Sequence, residues 1–434
     1  MAKFDRKKTL KRMELKRKWR NYSRYVYTVV PCVLCCLLCL YFAYSKFFVS
    51  KEEVVIKTTV GDFIHGDVVI GAYIDGEYSS TIPGKNDGYV VDKVSCDNGA
   101  VGKWNNDNWG LLTTNLSKRS KCNVYFKKYL IADKIIELAQ SDTVNFANDD
   151  PDGNIRYMGA NPNNYVYFNC SDYANQSDNT CEKWRIIGLF NNITKSDGTK
   201  ENLVKIVKSD SIGTIAWDEN PSSGFSSNWA NATLQQNLNS GTYYTTTLKN
   251  DVTKSKIENV MWNLGTIPTT VDGTAKMFYE RDKGVNANND EISAWNGKVG
   301  LIYASDYGYA TSGGTTANRT TCLQTSLYNW KNSDVSDCKD NNYLYKSSHV
   351  QWLLSFDDRV GVLNIDIRGK VSNTATFTST STNNKLKLDF EPMEPYVYSN
   401  NQNVNVYPSL YLKSNISISG GIGSSSDPYQ LSIK

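Results

Sequence analysis

Ten cysteines are the first residues of this 434-residue chain whose type and spacing suggest chemistry, and they fall into two groups. Cys32, Cys35, Cys36 and Cys39 recur at i, i+3, i+4 and i+7, which places them on one helical face inside a run without a charged residue. There they read as small apolar residues, because the run supplies no histidine or carboxylate for a metal; a dimer contact or thiol modification is the alternative role. The other six, Cys96, Cys122, Cys170, Cys181, Cys322 and Cys338, are even in number and read as disulfides of an exported region. Nearness along the chain favours Cys96 with Cys122, Cys170 with Cys181 and Cys322 with Cys338, although sequence alone leaves the connectivity open. Zinc is disfavoured, since no CxxC pair lies outside the apolar run and the only histidines are His65 and His349.

Nucleophilic catalysis finds few handles. A Ser-His-Asp triad needs a histidine, and His349 has only Ser347, Ser348, Asp357 and Asp358 close by in sequence, whereas triad members converge from separate elements. No GxSxG elbow, Walker loop or HExxH motif is present, so no catalytic residue, metal or cofactor is assigned. The NDDPDGN segment has Asn148, Asp150 and Asp152 at alternating positions before Gly153, but Gly159 stands where a calcium loop needs its glutamate, so a plain turn is expected. Binding has more material to work with. The chain carries 28 Tyr, 10 Trp and 46 Asn, rigid rings and amides of the kind that recognise sugars and protein epitopes. Trp295, Tyr303, Tyr307, Tyr309 and Trp330 gather near Gly-rich loops and form the candidate ligand-binding set, with core packing as the rival duty for each. Trp184 and Trp352 sit in apolar strings and are expected in the core, and Trp104 and Trp109 are expected to pack and cap a small domain.

The elements that must position these groups begin with an anchor. Residues 1–24 hold 11 Lys/Arg against Asp5 and Glu14, so this tail carries +9 while the whole chain carries only +4. From Tyr25 to Ser45 no charge occurs, about the 20 residues that a helix needs to cross a bilayer. The basic tail predicts a single-pass signal-anchor over residues 25–48 with residues 1–24 cytoplasmic and the C-terminus extracellular. Tyr22, Tyr25 and Tyr27 before it, and Tyr41, Phe42, Tyr44, Phe47 and Phe48 after it, match aromatic belts. A cleaved signal peptide, cut near Ala43-Tyr44-Ser45, is the competing reading. Nucleic acid is an unsuitable partner for the net-acidic remainder; the basic tail suits anionic lipid headgroups.

Beyond the anchor, residues 51–128 read as a small all-β, sandwich-like domain, with Asp75-Gly76 as a hairpin turn. YLIADKIIELAQ predicts an amphipathic helix in a junction over residues 129–149. Residues 150–434 mix strand-like segments (VYFNC, KWRIIGLF, LVKIVK, KVGLIY, VGVLNIDI) with helical spacing in NATLQQNL and KSKIENVMWNL, which predicts a large α+β domain.

Several strings of this region, IRYMGANPNNYVYFNCSDYANQ, CEKWRIIGLF, SIGTIAWD, KVGLIYASDYGYATSG, QWLLS and VYPSLYLKSNISISGGIGSSSDPYQL, occur together and in order. Through them the region from 155 to 434 resembles a family of uncharacterised extracellular domains in anchored surface proteins of gut Gram-positive bacteria. The resemblance implies an export context and a fold that is distantly similar to the C-type-lectin-like fold of formylglycine-generating enzymes. It implies no reaction. The calcium-dependent lectin elements are missing: the nearest string is Glu391-Pro392-Met393-Glu394-Pro395, and WNND at Trp104 falls in the small domain. The expected function is non-enzymatic binding or adhesion to a glycan, mucin or surface-protein ligand; a structural envelope component and an extracellular hydrolase are the alternatives.

Overall fold

The structure is a computed structural model that describes residues 10–20, 23, 68–116, 119–218, 229–264, 266–267, 273–283, 293–357, 361–375, 385–386, 398–399 and 404–432. The expected anchor, residues 25–48, lies outside them, as does the Glu391–Pro395 string. Among the described residues no helix is long and apolar enough to cross a membrane. The chain is mainly β-rich, with several sheets and short helices. Backbone contacts divide it into two units, one of Met1–Ala72 with Lys93–Val124 and one of Tyr73–Asp92 with Tyr125–Lys434.

The first unit contains helix α1 (10–20), most of strand β1 (Val68–Ile74), the second half of β3 (Tyr89–Cys96), and the hairpin of β4 (Val101–Asn105) with β5 (Gly110–Thr114). Trp104 and Trp109 meet edge to face across the tip of that hairpin at 5.4 Å. Cys96 is joined to Cys122.

The second unit opens with the end of β1, a turn in which Asp75 and Gly76 both take positive φ, and β2 (Glu77–Ser79). After β6 (Ser120–Lys128), the expected helix forms as α2 (Ile131–Ser141), burying Ile131 and Ile135. The main sheet is built from β7 (Phe146–Ala147), β8 (Ile155–Tyr157), β9 (Tyr165–Phe168), β10 (Glu182–Thr194), β11 (Lys200–Lys208), β16 (Val299–Gly300) and β23 (Ser409–Tyr411). Its order is β16-β23-β11-β10-β8-β7, with β9 also on β10. A second sheet runs β12 (Thr214–Ile215), β22 (Val404–Asn405), β17 (Gln351–Asp357), β18 (Gly361–Ile365), β19 (Val371–Ala375), with β14 (Thr266–Ile267) on β17. The short helices are α3 (Thr233–Asn239), α4 (Asp251–Ser255), α5 (Ala275–Asp282), α6 (Ala304–Tyr309), α7 (Arg319–Gln324) and α8 (Asp337–Asp340). Disulfides Cys170–Cys181 and Cys322–Cys338 close two loops of this unit, and all four cysteines are buried.

NATLQQNL is helical, as α3, but KSKIENVMWNL is not. The helix stops with α4 at Ser255, and VMWNL becomes β13 (Val260–Leu264), paired antiparallel with β15 (Ser293–Gly297). Val260, Trp262 and Leu264 are buried while Met261 between them is exposed, the period of a strand rather than a helix. A sequence-distant partner strand overrides the local helical spacing.

One cross-strand row organises the main sheet. Arg156 of β8 pairs with Gly188 of β10, Gly188 with Lys205 of β11, and Lys205 with Tyr411 of β23. Directly paired residues share a face, so this row puts two cations on one side of the sheet with no side chain between them. A methyl group at Gly188 would stand 2.3 Å from the Ile155 carbonyl oxygen and 3.0 Å from Arg156 Cα, both backbone atoms that cannot swing away. Gly188→Ala is therefore expected to lower the stability of this unit by about 1–3 kcal/mol, the usual cost of overpacking, read as a lower urea midpoint. An unchanged midpoint would show that β8 and β10 can separate without penalty.

Candidate functional site

The face of the main sheet that carries Arg156 and Lys205 is covered by α5 and α6. The two helices approach closely because Gly308 has no side chain; a methyl there would stand 2.6 Å from Ala275 Cβ. Thr274 caps α5 by accepting from the Met277 amide, and at the other end of that helix is Asp282. Asp306 sits in the first turn of α6, where its Oδ2 accepts from the Tyr303 amide at 2.9 Å and the helix N-terminus favours negative charge.

These elements assemble a chain of buried charges. Arg156 Nε donates to Asp150 Oδ2 at 2.6 Å, Arg156 Nη1 to Asp306 Oδ1 at 2.9 Å, and Lys205 Nζ to Asp306 Oδ2 at 2.6 Å. Relative exposure is 2 % for Arg156, 0 % for Lys205 and 1 % for Asp306, so none of them borrows solvation from water. Burial opposes the charge on Arg156, Asp306 and Lys205; the partners outweigh it at the first two and not at the third. For Arg156 it would lower the pKa, but Asp306 and Asp150 raise it above the usual arginine value. Burial would neutralise Asp306, but Lys205 and Arg156 outweigh it and hold the carboxyl below its usual value. Lys205 is lowered by burial, with Asp306 restraining the fall. Rings close round both cations. The Lys205 ammonium lies 4.4 Å from the Tyr303 ring centre, 5.2 Å from Trp262 and 5.4 Å from Tyr411, and the Arg156 guanidinium 4.5 Å from Phe190.

Beside the cluster, Asp282 is buried, and among the described residues no cation bonds to it. Ser355 Oγ donates to its Oδ1 at 2.8 Å. Burial pushes this carboxyl up to about 7, against the Ser305 and Ser355 hydroxyls, with Asp306 adding to the rise and Lys205 reducing it. Two polar atoms of this neighbourhood, Arg156 Nη2 and Asp282 Oδ2, have no hydrogen-bond partner among the described residues. An unmet buried donor or acceptor costs about 1–3 kcal/mol, so such groups are uncommon in a purely structural core.

Both residues line a cavity of about 470 Å³, within the range of roughly 300–1,000 Å³ usual for small-molecule sites. Trp262, Tyr303, Tyr279, Tyr411 and Phe190 supply its rings; Asn154, Asn191, Asn192 and Asn263 bring amides; Lys200, Lys283 and Ala294 also line it. Asn154 is fixed by Asp150 and by the Tyr279 hydroxyl, and Lys283 pairs with Asp152. The segment expected as a plain turn is one: Asp150 Oδ1 accepts from the amides of Asp152 and Asn154, and Gly153 has positive φ. Its second oxygen also holds Arg156, a role the spacing did not reveal.

Of the five aromatic candidates, Tyr303 lines the cavity and gives its hydroxyl proton to the Asn263 carbonyl at 3.0 Å. Tyr309 is buried against Tyr279, with the Arg156 guanidinium 5.2 Å from its ring centre. Tyr307 and Trp330 are fully buried, ring against ring at 5.1 Å, and bond to the Gly369 and Cys322 carbonyls. Trp295 packs edge to face on the buried Trp229. The structure thus brings Tyr303 and Tyr309 to the ion cluster and leaves Tyr307, Trp330 and Trp295 elsewhere in the packing. His349 Nδ1 stands 3.1 Å from Ser348 Oγ and 3.5 Å from the Tyr407 hydroxyl, and among the described residues no carboxylate bonds it. No group of His, Cys, Asp or Glu that could hold a metal ion occurs among the described residues.

No protein-family model matches this chain, and neither a curated protein nor a solved structure matches it.

Proposed function

We propose that this chain is a single-pass surface protein, held in the bilayer by residues 25–48 with its C-terminus outside, and that it binds a glycan-type or related polar ligand in the cavity floored by Arg156 and Asp282. The charge asymmetry of the N-terminal 24 residues supports the orientation. Three disulfides support an oxidising exterior. A C-type-lectin-like ancestry for the larger unit fits the ordered strings of residues 155–434 and rests on that resemblance.

The observation that carries the binding role is the pair of buried, unpartnered polar atoms on residues that line a ring-walled and amide-lined cavity. Hydrolysis by a carboxylate pair is less well served. Both oxygens of Asp306 are engaged by Arg156, Lys205 and the Tyr303 amide, which leaves Asp282 as the one carboxyl of the lining with an uncommitted oxygen.

Ala294, exposed in strand β15 and part of the cavity lining, offers a test. The full chain in detergent, applied to a glycan and mucin array, is expected to bind members of the array. The Ala294→Trp variant, which fills the rim, is expected to lose that binding by tenfold or more. Silence of the full chain across the array, or binding that the bulky residue leaves unmoved, contradicts the proposal.

A further inference from the structure

The charges around the cavity narrow the ligand class, an inference that rests on the binding role above. The charged residues of the lining are Arg156, Lys200, Lys283, Asp282 and Asp306. Asp306 is neutralised within the cluster, because its two oxygens take Arg156 Nη1 and Lys205 Nζ. Arg156 is paired with Asp150 as well, so two cations face two carboxylates, and what remains toward an incoming molecule is the spare donor on Arg156 Nη2, the exposed Lys200, Lys283 beside Asp152, and Asp282.

A cationic ligand is poorly served. The ring faces that would hold it already enclose the protein's own ammonium: Lys205 lies within 5.4 Å of the centres of Tyr303, Trp262 and Tyr411. An anion meets the opposite situation. Arg156 Nη2 is a guanidinium donor with no acceptor among the described residues, and guanidinium–carboxylate pairing is among the strongest of hydrogen-bonded contacts. Asp282 lines the same cavity, its Oδ2 has no hydrogen-bond partner among the described residues, and its surroundings favour the neutral acid. Ser355 faces it from β17, Ser305 and Asp306 from α6, Lys205 from β11, and its chain neighbour Lys283 is tied to Asp152. A neutral carboxyl presents an O–H donor, which complements a carboxylate as an ionised one cannot.

We propose that the cavity takes a small carboxylate-bearing molecule, of the uronic-acid type, whose carboxylate accepts from Arg156 Nη2 and from the carboxyl of Asp282. The asparagines of the lining and the Tyr303 and Trp262 rings suit the hydroxyls and the apolar face of such a sugar.

Calorimetric titration of the full chain in detergent with glucuronate, and separately with the uncharged glucuronamide, tests this. At pH 6 glucuronate is expected to bind at least tenfold more tightly than the amide, and Ala294→Trp is expected to abolish both signals. Because Asp282 titrates at about 7, glucuronate affinity is expected to fall by about tenfold between pH 6 and pH 8. Asp282→Asn, which cannot ionise, is expected to flatten that dependence. Equal affinity for acid and amide, both lost in Ala294→Trp, overturns the carboxylate assignment and leaves the binding role standing. Failure of glucuronate to bind, or binding indifferent to Ala294→Trp, also overturns the assignment; the array result then judges the binding role separately.

Discussion

Asp306→Ala is expected to destabilise the larger unit by about 3–5 kcal/mol, the range found when one partner of a buried ion pair is removed. Total stabilities of about 5–15 kcal/mol make this a loss large enough to unfold the unit under mild conditions. The cause is what remains behind. Lys205, with no exposed surface, loses the carboxylate that accepts from it, and Arg156 keeps only Asp150. The Tyr303 amide at the start of α6 loses its acceptor too. Adding Lys205→Met to Asp306→Ala removes the stranded ammonium, so the double variant is expected to recover part of the loss rather than add to it. Urea midpoints of the two single variants and the double variant check this. A single-variant cost below about 1 kcal/mol would mean that the cluster is wet.

The second large effect concerns pH. An aspartate in an unfolded chain titrates near 3.8, whereas burial pushes Asp282 in the folded protein up to about 7. Between these values the folded state holds a proton that the unfolded state releases. Stability contributed by this residue is therefore fully present below about pH 4, falls as pH rises towards 7, and is flat above that. The difference amounts to roughly 4 kcal/mol, since each tenfold change in proton affinity is worth about 1.4 kcal/mol. Asp282→Asn mimics the neutral acid at every pH. Relative to the parent chain it is expected to gain most of that 4 kcal/mol between pH 4 and pH 8. Acids whose pKa is lowered by partners, such as Asp178 and Glu201, act in the opposite direction at low pH, so the comparison must be between variant and parent at each pH. A stability difference that does not change with pH would place Asp282 among ordinary solvated carboxylates.

Much of the framework was legible in the chain. The three disulfides join the cysteines nearest in sequence, each closing a short loop. Helix α2 followed from Ile131, Ile135 and Leu138, and the Asp75–Gly76 turn from the residue types that accept positive φ. The ion cluster was not read, because its members come from three distant segments, Asp150 with Arg156, Lys205, and Asp306, and Asp282 beside it comes from a fourth. A signal was present in part: Lys205 stands between Leu203 and Val207 on one face of an apolar strand, where a lone cation needs a buried partner. Nothing local named Asp306 as that partner, since ASDYGY gives no apolar periodicity and becomes helix α6 through its cap. The VMWNL strand was hidden for a related reason, since Trp262 finds its partner only at Trp295.

The most direct test of the account is a crystal structure of the full chain grown with glucuronate. The sugar is expected in the cavity between Tyr303 and Asn191, its carboxylate within hydrogen-bonding distance of Arg156 Nη2 and Asp282 Oδ2. Arg156 Nη2 and Asp282 Oδ2 bonded to protein groups, with the sugar absent from the cavity or bound elsewhere, would contradict it.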